Sequence, residues 1–461
     1  MVENELQSPE RDTDEFTLDA RIVSGVLDAV EAGDAARVAE LAEDLHPADI
    51  ADLLEQIGPA DRRALIALWP DAIDGDVLSE LDEGLREDLI PTLPHSVLRE
   101  AVRDLESDDV VDLIEDLEEP EQEIILRALG ESDRAAVEQS LAYPEHSAGR
   151  LMQREVVTAP EHWTVGEATQ FLRRGDDLPD QFYHVILVDP RHRPVAYVTL
   201  GKILSSRSAT RLCDITEDSF RTLSVLDEEA DVAYVFNQYH LISAPVVDED
   251  DRLVGVITID DAMTVLDEEH EEDVLRLAGV SEESSVSDGV FDVVRQRLPW
   301  LVVNLFTASL SALVISQFTG TISRIVALAA LMPIVASTGG IAGTQALAVA
   351  VRALATRNLT SSNARRVVRR EVLAGITNGI SLAVVLGIGG ALVFGSPLIG
   401  LVLGMAMIVN QLIACLGGVM VPLILYRIGL DPALASGTFV TTLTDVMGFL
   451  AFLGFATWIL I

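Results

Sequence analysis

The sequence predicts a multidomain α plus α/β protein: an acidic, solenoid-like cytoplasmic helical domain, two tandem β-α-β units, a connecting helix and a five-helix transmembrane domain. Three observations carry this reading. Of 461 residues, the first 292 hold 71 of the 74 acidic side chains, whereas the remainder hold three acids and ten arginines. The soluble half repeats short helical phrases and then a strand-rich phrase at an offset of 59 residues. The last third contains five apolar runs, each long enough to cross a bilayer.

Residues 1–17 are polar and acidic, lack the apolar core of a secretory leader, and read as disordered. Residues 18–142 read as helix after helix. LHPADIADLLEQI (45–57), LPHSVLREAV (93–102) and LESDDVVDLIEDL (105–117) each open on a helix-start residue and continue with apolar residues at i, i+3, i+4. Such units bury one face against their neighbours and stack. Residues 143–205 and 206–266 form the tandem pair. HVILVD (184–189) and PVAYVTL (194–200) recur as ISAPVVDED (242–250) and RLVGVITI (252–259), with Asp189 matching Asp248 and Arg193 matching Arg252. This phrase resembles a CBS domain, a regulatory module that binds nucleotides or ions; the first copy departs where Pro194 replaces Leu253.

Residues 261–297 are expected to form the connecting, plug-like helix, densest in acid from Asp267 to Asp273, with a Gly/Ser-rich turn at 279–289. Arg295, Arg297 and Pro299 mark the membrane entry, and residues 298–461 make the transmembrane domain. Its expected spans are Trp300–Gln317, Ile325–Val351, Val372–Phe394, Leu398–Leu425 and Ala433–Ile461. Arg352, Arg357, Arg365, Arg366, Arg369 and Arg370 fill the loop between the second and third spans, which the positive-inside rule makes cytoplasmic. Counting spans, the acidic N-terminal body is then cytoplasmic and the C-terminus extracellular, in a multi-pass protein of the plasma membrane surrounded by lipid.

Lys202 is the only lysine, so the soluble surface is acid-rich and arginine-based. That surface suits a halophile, whose salt screens self-repulsion, and it argues against nucleic acid as a partner. Cys213 and Cys415 lie in unrelated regions and make no disulfide framework. No phosphate-binding loop, metal-hydrolase motif or nucleophile–base pair is visible, so the expectation is that the chain is not an enzyme.

Beyond Asp292 the acids are Glu371, Asp431 and Asp445, and only Asp445 falls within an apolar span. A carboxylate there costs several kcal/mol and marks a functional site by default. Gly437, Thr441, Asp445 and Gly448 share one helix face. That face suits a wet pathway, or else a carboxylate hydrogen-bonded to a neighbouring threonine. In the second span, Pro333 and Gly339-Gly340 interrupt the helix, and Ser337, Gly340 and Thr344 share a face that either lines the same pathway or lets helices pack closely.

DPALASG and VTTLTD in the last span, Gly339-Gly340 with Gly343 and Gln345 in the second, and YPEHSAGRLM (143–152) together resemble the MgtE family of magnesium channels and transporters. The resemblance covers nearly the whole chain. It implies a homodimer that moves Mg²⁺ between subunits, with Asp445 as the metal site of the pore and Gly437 and Thr441 as neighbouring oxygen sites. It further implies closure of the pore by regulatory Mg²⁺ at Asp108, Asp112, Asp261, Glu269 and Glu272, and it makes ATP a candidate ligand of the CBS pair. Thr264 and His240 stand where the family has carboxylates, and Ile341 replaces an asparagine. Mg²⁺ keeps its waters in octahedral geometry, which a pair of Asp445 carboxylates suits. The competing readings are a CBS-regulated membrane sensor, a transporter of another divalent cation such as Co²⁺ or Mn²⁺, and an anion channel. The acid in the last span and the lack of basic residues within the spans count against the last.

Overall fold

The computed structural model describes residues 18–70, 73–103, 105–115, 117, 119–175, 178–179, 182–281, 284, 289–360, 362–433 and 436–461. The acidic segment 1–17, expected to be disordered, lies outside the described residues. Two compact units emerge, Met1–Asp267 and Glu268–Ile461.

In the first unit, α-helices run from α1 (Ala20–Ala32) to α10 (Glu131–Ser140). The phrase at 45–57 becomes α3 (Pro47–Gln56), opened by a capping box in which His46 accepts from the first turn and Asp49 accepts from the His46 N–H. At its other end the buried Arg62 donates to the Leu54 and Ile57 carbonyls (2.8 and 3.1 Å), satisfying acceptors that a helix end leaves open. The phrase at 105–117 becomes α8 (Ser107–Glu115), whose Val110, Val111, Leu113 and Ile114 enter a core with Leu53, Leu54, Leu78 and Ile125. Each such side chain contributes roughly 1.5–3 kcal/mol on burial.

The strand-rich repeat folds twice in the same way. After α11 (Ala148–Leu151), the first copy holds β1 (Thr158–Pro160), α12 (Val165–Leu172), β2 (His184–Val188), β3 (Pro194–Thr199) and α13 (Leu200–Ser205). The second holds β4 (Leu223–Ser224), α14 (Glu229–Tyr239), β5 (Ser243–Val247) and β6 (Leu253–Thr258). Each sheet pairs its first two strands parallel and its last two antiparallel, in the orders β1-β2-β3 and β4-β5-β6. The 59-residue offset survives at single-bond detail. Asp189 Oδ1 accepts from the Arg191 and Arg193 N–H groups, as Asp248 Oδ1 accepts from Asp250 and Arg252. His192 and Asp251 both take positive φ, at 63° and 61°. At Pro194 the symmetry fails for a chemical reason: Leu253 N–H donates to the His192 carbonyl, and proline has no N–H to donate.

Helix α15 (Ile259–Ala278) follows, then α16 (Val290–Gln317), a short α17 (Thr319–Arg324), α18 (Ala327–Ala355), α19 (Ala364–Phe394), α20 (Pro397–Arg427) and α21 (Ser436–Leu460). The connector expected over 261–297 is therefore the end of one helix and the start of another, on either side of the Gly/Ser-rich turn expected at 279–289. Gly279, at φ 75°, ends α15, and residues from Val290 belong to α16, which carries Pro299 within it into the first span. The third span starts eight residues earlier than the expected Val372 because the arginine cluster continues its helix. Among the described residues, five helices are long and apolar enough to cross a membrane. Helix α20 is central and largely buried among α18, α19 and α21, whereas α16 meets mainly α21 and is exposed elsewhere. Glycine permits the closest crossing: Gly400 lies against the Gly387 carbonyl, where no side chain fits.

Candidate ion pathway and acidic surface

Asp445 is the tenth residue of α21, about 13 Å along it at about 1.5 Å per residue. It is half-buried, and no hydrogen bond or ion pair engages its carboxylate among the described residues. Thr441 does not satisfy it, since its hydroxyl donates instead to the Gly437 and Thr438 carbonyls at 2.9 and 3.1 Å. Gly437 and Thr441 are partly exposed along the same strip. The adjoining strip is closed: Val440 and Thr444 are fully buried, and a Cβ on Gly343 of α18 would meet both.

Gly448 falls on that closed side. It is buried, and a Cβ there would lie 2.9 Å from Asn410 Oδ1. Its lack of a side chain serves packing of α21 on α20, a correction to its expected place on the lining face. Helical spacing puts it between Gly437 and Thr441 on the open strip, so only the packing of Asn410 against it shows the glycine's role. On α18, Ser337 and Thr344 are exposed, and open space surrounds the Cβ position of Gly340. These three positions lie away from the core of the helix bundle.

Sequence reasoning missed Asn410 and Gln411. Both are buried in the middle of α20. Asn410 Nδ2 donates to the Val335 carbonyl at 2.7 Å and Gln411 Nε2 to the Thr338 carbonyl at 3.4 Å. Two adjacent amides in an otherwise apolar run were the signal.

Helix α15 contributes its C-terminal turns to this unit. Arg276 bridges Glu272 (2.9 Å) and Asp431 (2.7 Å), and Leu277 packs with Leu347, Val351, Ala433 and Val440.

The first unit gathers carboxylates between α8 and the start of α15. Asp108 is buried, and burial followed by repulsion from Asp261 pushes its carboxyl well above the usual range. Burial and the same neighbour push Asp109 up to about 7. Glu106 is likewise pushed up to about 7 by burial and Glu155, and Asp261 to about 6, chiefly by burial. Asp261 accepts a 2.5 Å hydrogen bond from Thr258 Oγ1, and Asp112 is ion-paired with Arg86. Among the described residues, no three acidic, histidine or cysteine side chains converge as a ready-made metal cage. The structure thus brings Asp108 and Asp261 together and ties up Asp112. Glu269 and Glu272 lie farther along α15, in the second unit. Thr264 donates to the Asp260 carbonyl, and His240 caps α14 in the left-handed conformation.

Comparison with known proteins agrees with this architecture. Three family descriptions match: a divalent cation transporter family, MgtE, over residues 332–455; the MgtE intracellular N domain over 45–146; and the CBS domain over 148–209 and 220–268. The chain is 32% identical over 448 residues to the magnesium transporter MgtE of Thermus thermophilus, covering 96% of this chain and 99% of that protein. It is 34% identical over 325 residues to the magnesium transporter MgtE of Enterococcus faecalis, covering 70% and 71%. A solved structure of the cytosolic domain of the Mg²⁺ channel MgtE in complex with ATP is 30% identical, with a TM-score of 0.48, covering 53% of this chain and 99% of that one.

Proposed function

The chain belongs to the MgtE family of magnesium transporters, a family of transporters and not of enzymes, and from that premise we propose that it works as a homodimer with Asp445 as its ion filter. The observation that carries this reading is the unengaged, half-buried Asp445 carboxylate beside Thr441. Exposed Ser337 and Thr344 on α18 support it, because polar side chains facing lipid are costly and a second copy covering them would make a wet pathway. Paired Asp445 carboxylates would hold Mg²⁺ through its waters, without stripping the shell. Gly437 offers its carbonyl, and Ser337, Gly340 and Thr344 line the approach.

Closure is proposed to follow internal Mg²⁺. Carboxylates crowded at Asp108, Asp109 and Asp261 repel one another until a divalent cation neutralises them. Glu269 and Glu272 would extend that response along α15, and Asp112 would join it on leaving Arg86. The orientation proposed has the acidic unit in the cytoplasm and the C-terminus outside the plasma membrane. ATP is proposed to bind the CBS pair. The cavity at His184 and Ser243 is lined by residues of both repeats and holds about 20 Å³, smaller than a nucleotide.

The test is Mg²⁺ flux in proteoliposomes for wild type and Asp445→Asn, with Co²⁺ and Mn²⁺ as competitors. Loss of flux in the variant with retained dimer is expected; wild-type flux would sink the filter assignment, and equal passage of all three ions would favour the broader divalent reading.

A further inference from the structure

We infer that Asn410 is a positioning residue that sets α21 against α18 and thereby places Asp445 relative to the Ser337–Thr344 segment; this rests on the reading of Asp445 as the filter. Asn410 is fully buried at the middle of α20, where an amide is costly unless it is engaged. It is engaged on one side only. Its Nδ2 donates to the Val335 carbonyl at 2.7 Å, while Oδ1 has no hydrogen-bond partner among the described residues.

The rest of the amide is held by shape. It sits between two glycines: a Cβ on Gly339 of α18 would lie 2.8 Å from its Cγ, and a Cβ on Gly448 of α21 would lie 2.9 Å from its Oδ1. Gly448 is three residues, less than one turn, beyond Asp445. One side chain therefore touches both helices that carry the proposed pathway.

The part of α18 that it grips is the part least able to hold its own course. Pro333 cannot donate to the Ala329 carbonyl, and Gly339-Gly340 follow. Side-chain donors reach the carbonyls of Ile334 (from Thr338, 2.5 Å), Val335 (from Asn410), Thr338 (from Gln411) and Gly340 (from Thr344, 3.0 Å). Carbonyls that accept a second bond weaken the helical ladder and bend it. The position of Ser337 and Thr344 then depends on a donor outside α18, and Asn410 supplies the shortest bond from a neighbouring helix.

The experiment measures Mg²⁺ and Mn²⁺ flux by the full-length protein in proteoliposomes for Asn410→Leu, Gly448→Ala, the double variant Asn410→Ala with Gly448→Ala, and Asp445→Asn. Asn410→Leu keeps the branched shape, with somewhat larger ends, and removes the bond; it is expected to lower Mg²⁺ flux about tenfold and to narrow the Mg²⁺ over Mn²⁺ preference, as a small misplacement of a site does. Gly448→Ala is expected to do the same, and the double variant to recover part of the loss because the new methyl fills the vacated space. An Asn410→Leu protein with wild-type rate and preference overturns the inference. So does a loss of flux at unchanged preference with no recovery in the double variant, which marks a folding role only. Wild-type flux from Asp445→Asn overturns the filter reading instead, whatever Asn410→Leu does.

Discussion

Arg276 Nη1 lies 2.7 Å from Asp431 Oδ2, joining the end of α15 to the residues that lead into α21. The contact fixes which end of the span bundle the connecting helix meets. Leu277, one residue on, shares a cluster with Leu347 and Val351 of α18 and with Ala433 and Val440. The arginine-rich loop at 352–370 starts from that same end of α18. The end of the connecting helix, the start of the arginine loop and Asp431 thus lie at one end of the span bundle. The Leu277 carbonyl also comes within 3.3 Å of the Cβ position of Gly437, so a larger residue there would press on the helix end.

Asp431→Asn should loosen this contact and shift gating. The two side chains are only about a quarter exposed, 23% and 29%, so the pair is worth more than an open surface bridge. On the proposed gating, with this pair belonging to the closed state, a loss of about 1 kcal/mol, after allowing for residual solvent, would raise the internal Mg²⁺ needed for half-closure about fivefold. Flux measured against a series of fixed internal Mg²⁺ concentrations checks this, and an unmoved half-closure point would deny the ion pair a part in gating.

Gly400→Val should disrupt the membrane unit where Gly389→Ala should not. Gly400 is pressed against the Gly387 carbonyl and the Ala391 side chain, whereas nothing lies within 4 Å of the Cβ position of Gly389. Overpacking at the first site costs about 1–3 kcal/mol. Thermal unfolding in detergent should show a lower midpoint for Gly400→Val and little change for Gly389→Ala; equal midpoints would mean that α19 and α20 separate without cost.

Much of this was legible in the sequence, for physical reasons that differ by region. The repeat at Asp189 and Asp248 was readable because a two-N–H turn needs an acceptor at one position, and both copies keep it. Asp445 was readable because charge in an apolar span is rare. Gly448 was misassigned because glycine reads alike whether it lines water or admits a neighbour, and only Asn410 across the gap distinguishes the two. The break at Gly279 was readable from the Gly/Ser-rich turn at 279–289, where small residues do not sustain a helix. The approach of Asp108 to Asp261 was expected only through the family resemblance, and the part of Asp109 was not expected, since 152 residues separate it from Asp261 and the whole domain is acidic.

That crowding yields a pH prediction with a definite sign. Asp109 and Glu106 are held up to about 7 and Asp261 to about 6, against 3.8, 4.5 and 3.8 ordinarily. Between about pH 4 and 7 the folded state therefore binds more protons than the unfolded state, so stability falls as pH rises through that window and levels off above it. Partial exposure of Glu106 and screening by salt hold the total to the order of 3 kcal/mol. Hydrogen exchange of residues 106–115 in the full-length protein, corrected for intrinsic rates, should show weaker protection at pH 7.5 than at pH 5 without divalent ions. Mg²⁺ should restore protection at pH 7.5 and do less at pH 5, where protons already occupy the carboxylates. Asp261→Asn removes one of the repelling charges, so it should raise protection without Mg²⁺ and shrink the Mg²⁺ response. Equal protection at both pH values, with no Mg²⁺ effect, would leave these carboxylates as a solvated acidic surface and take the sensing role away from them.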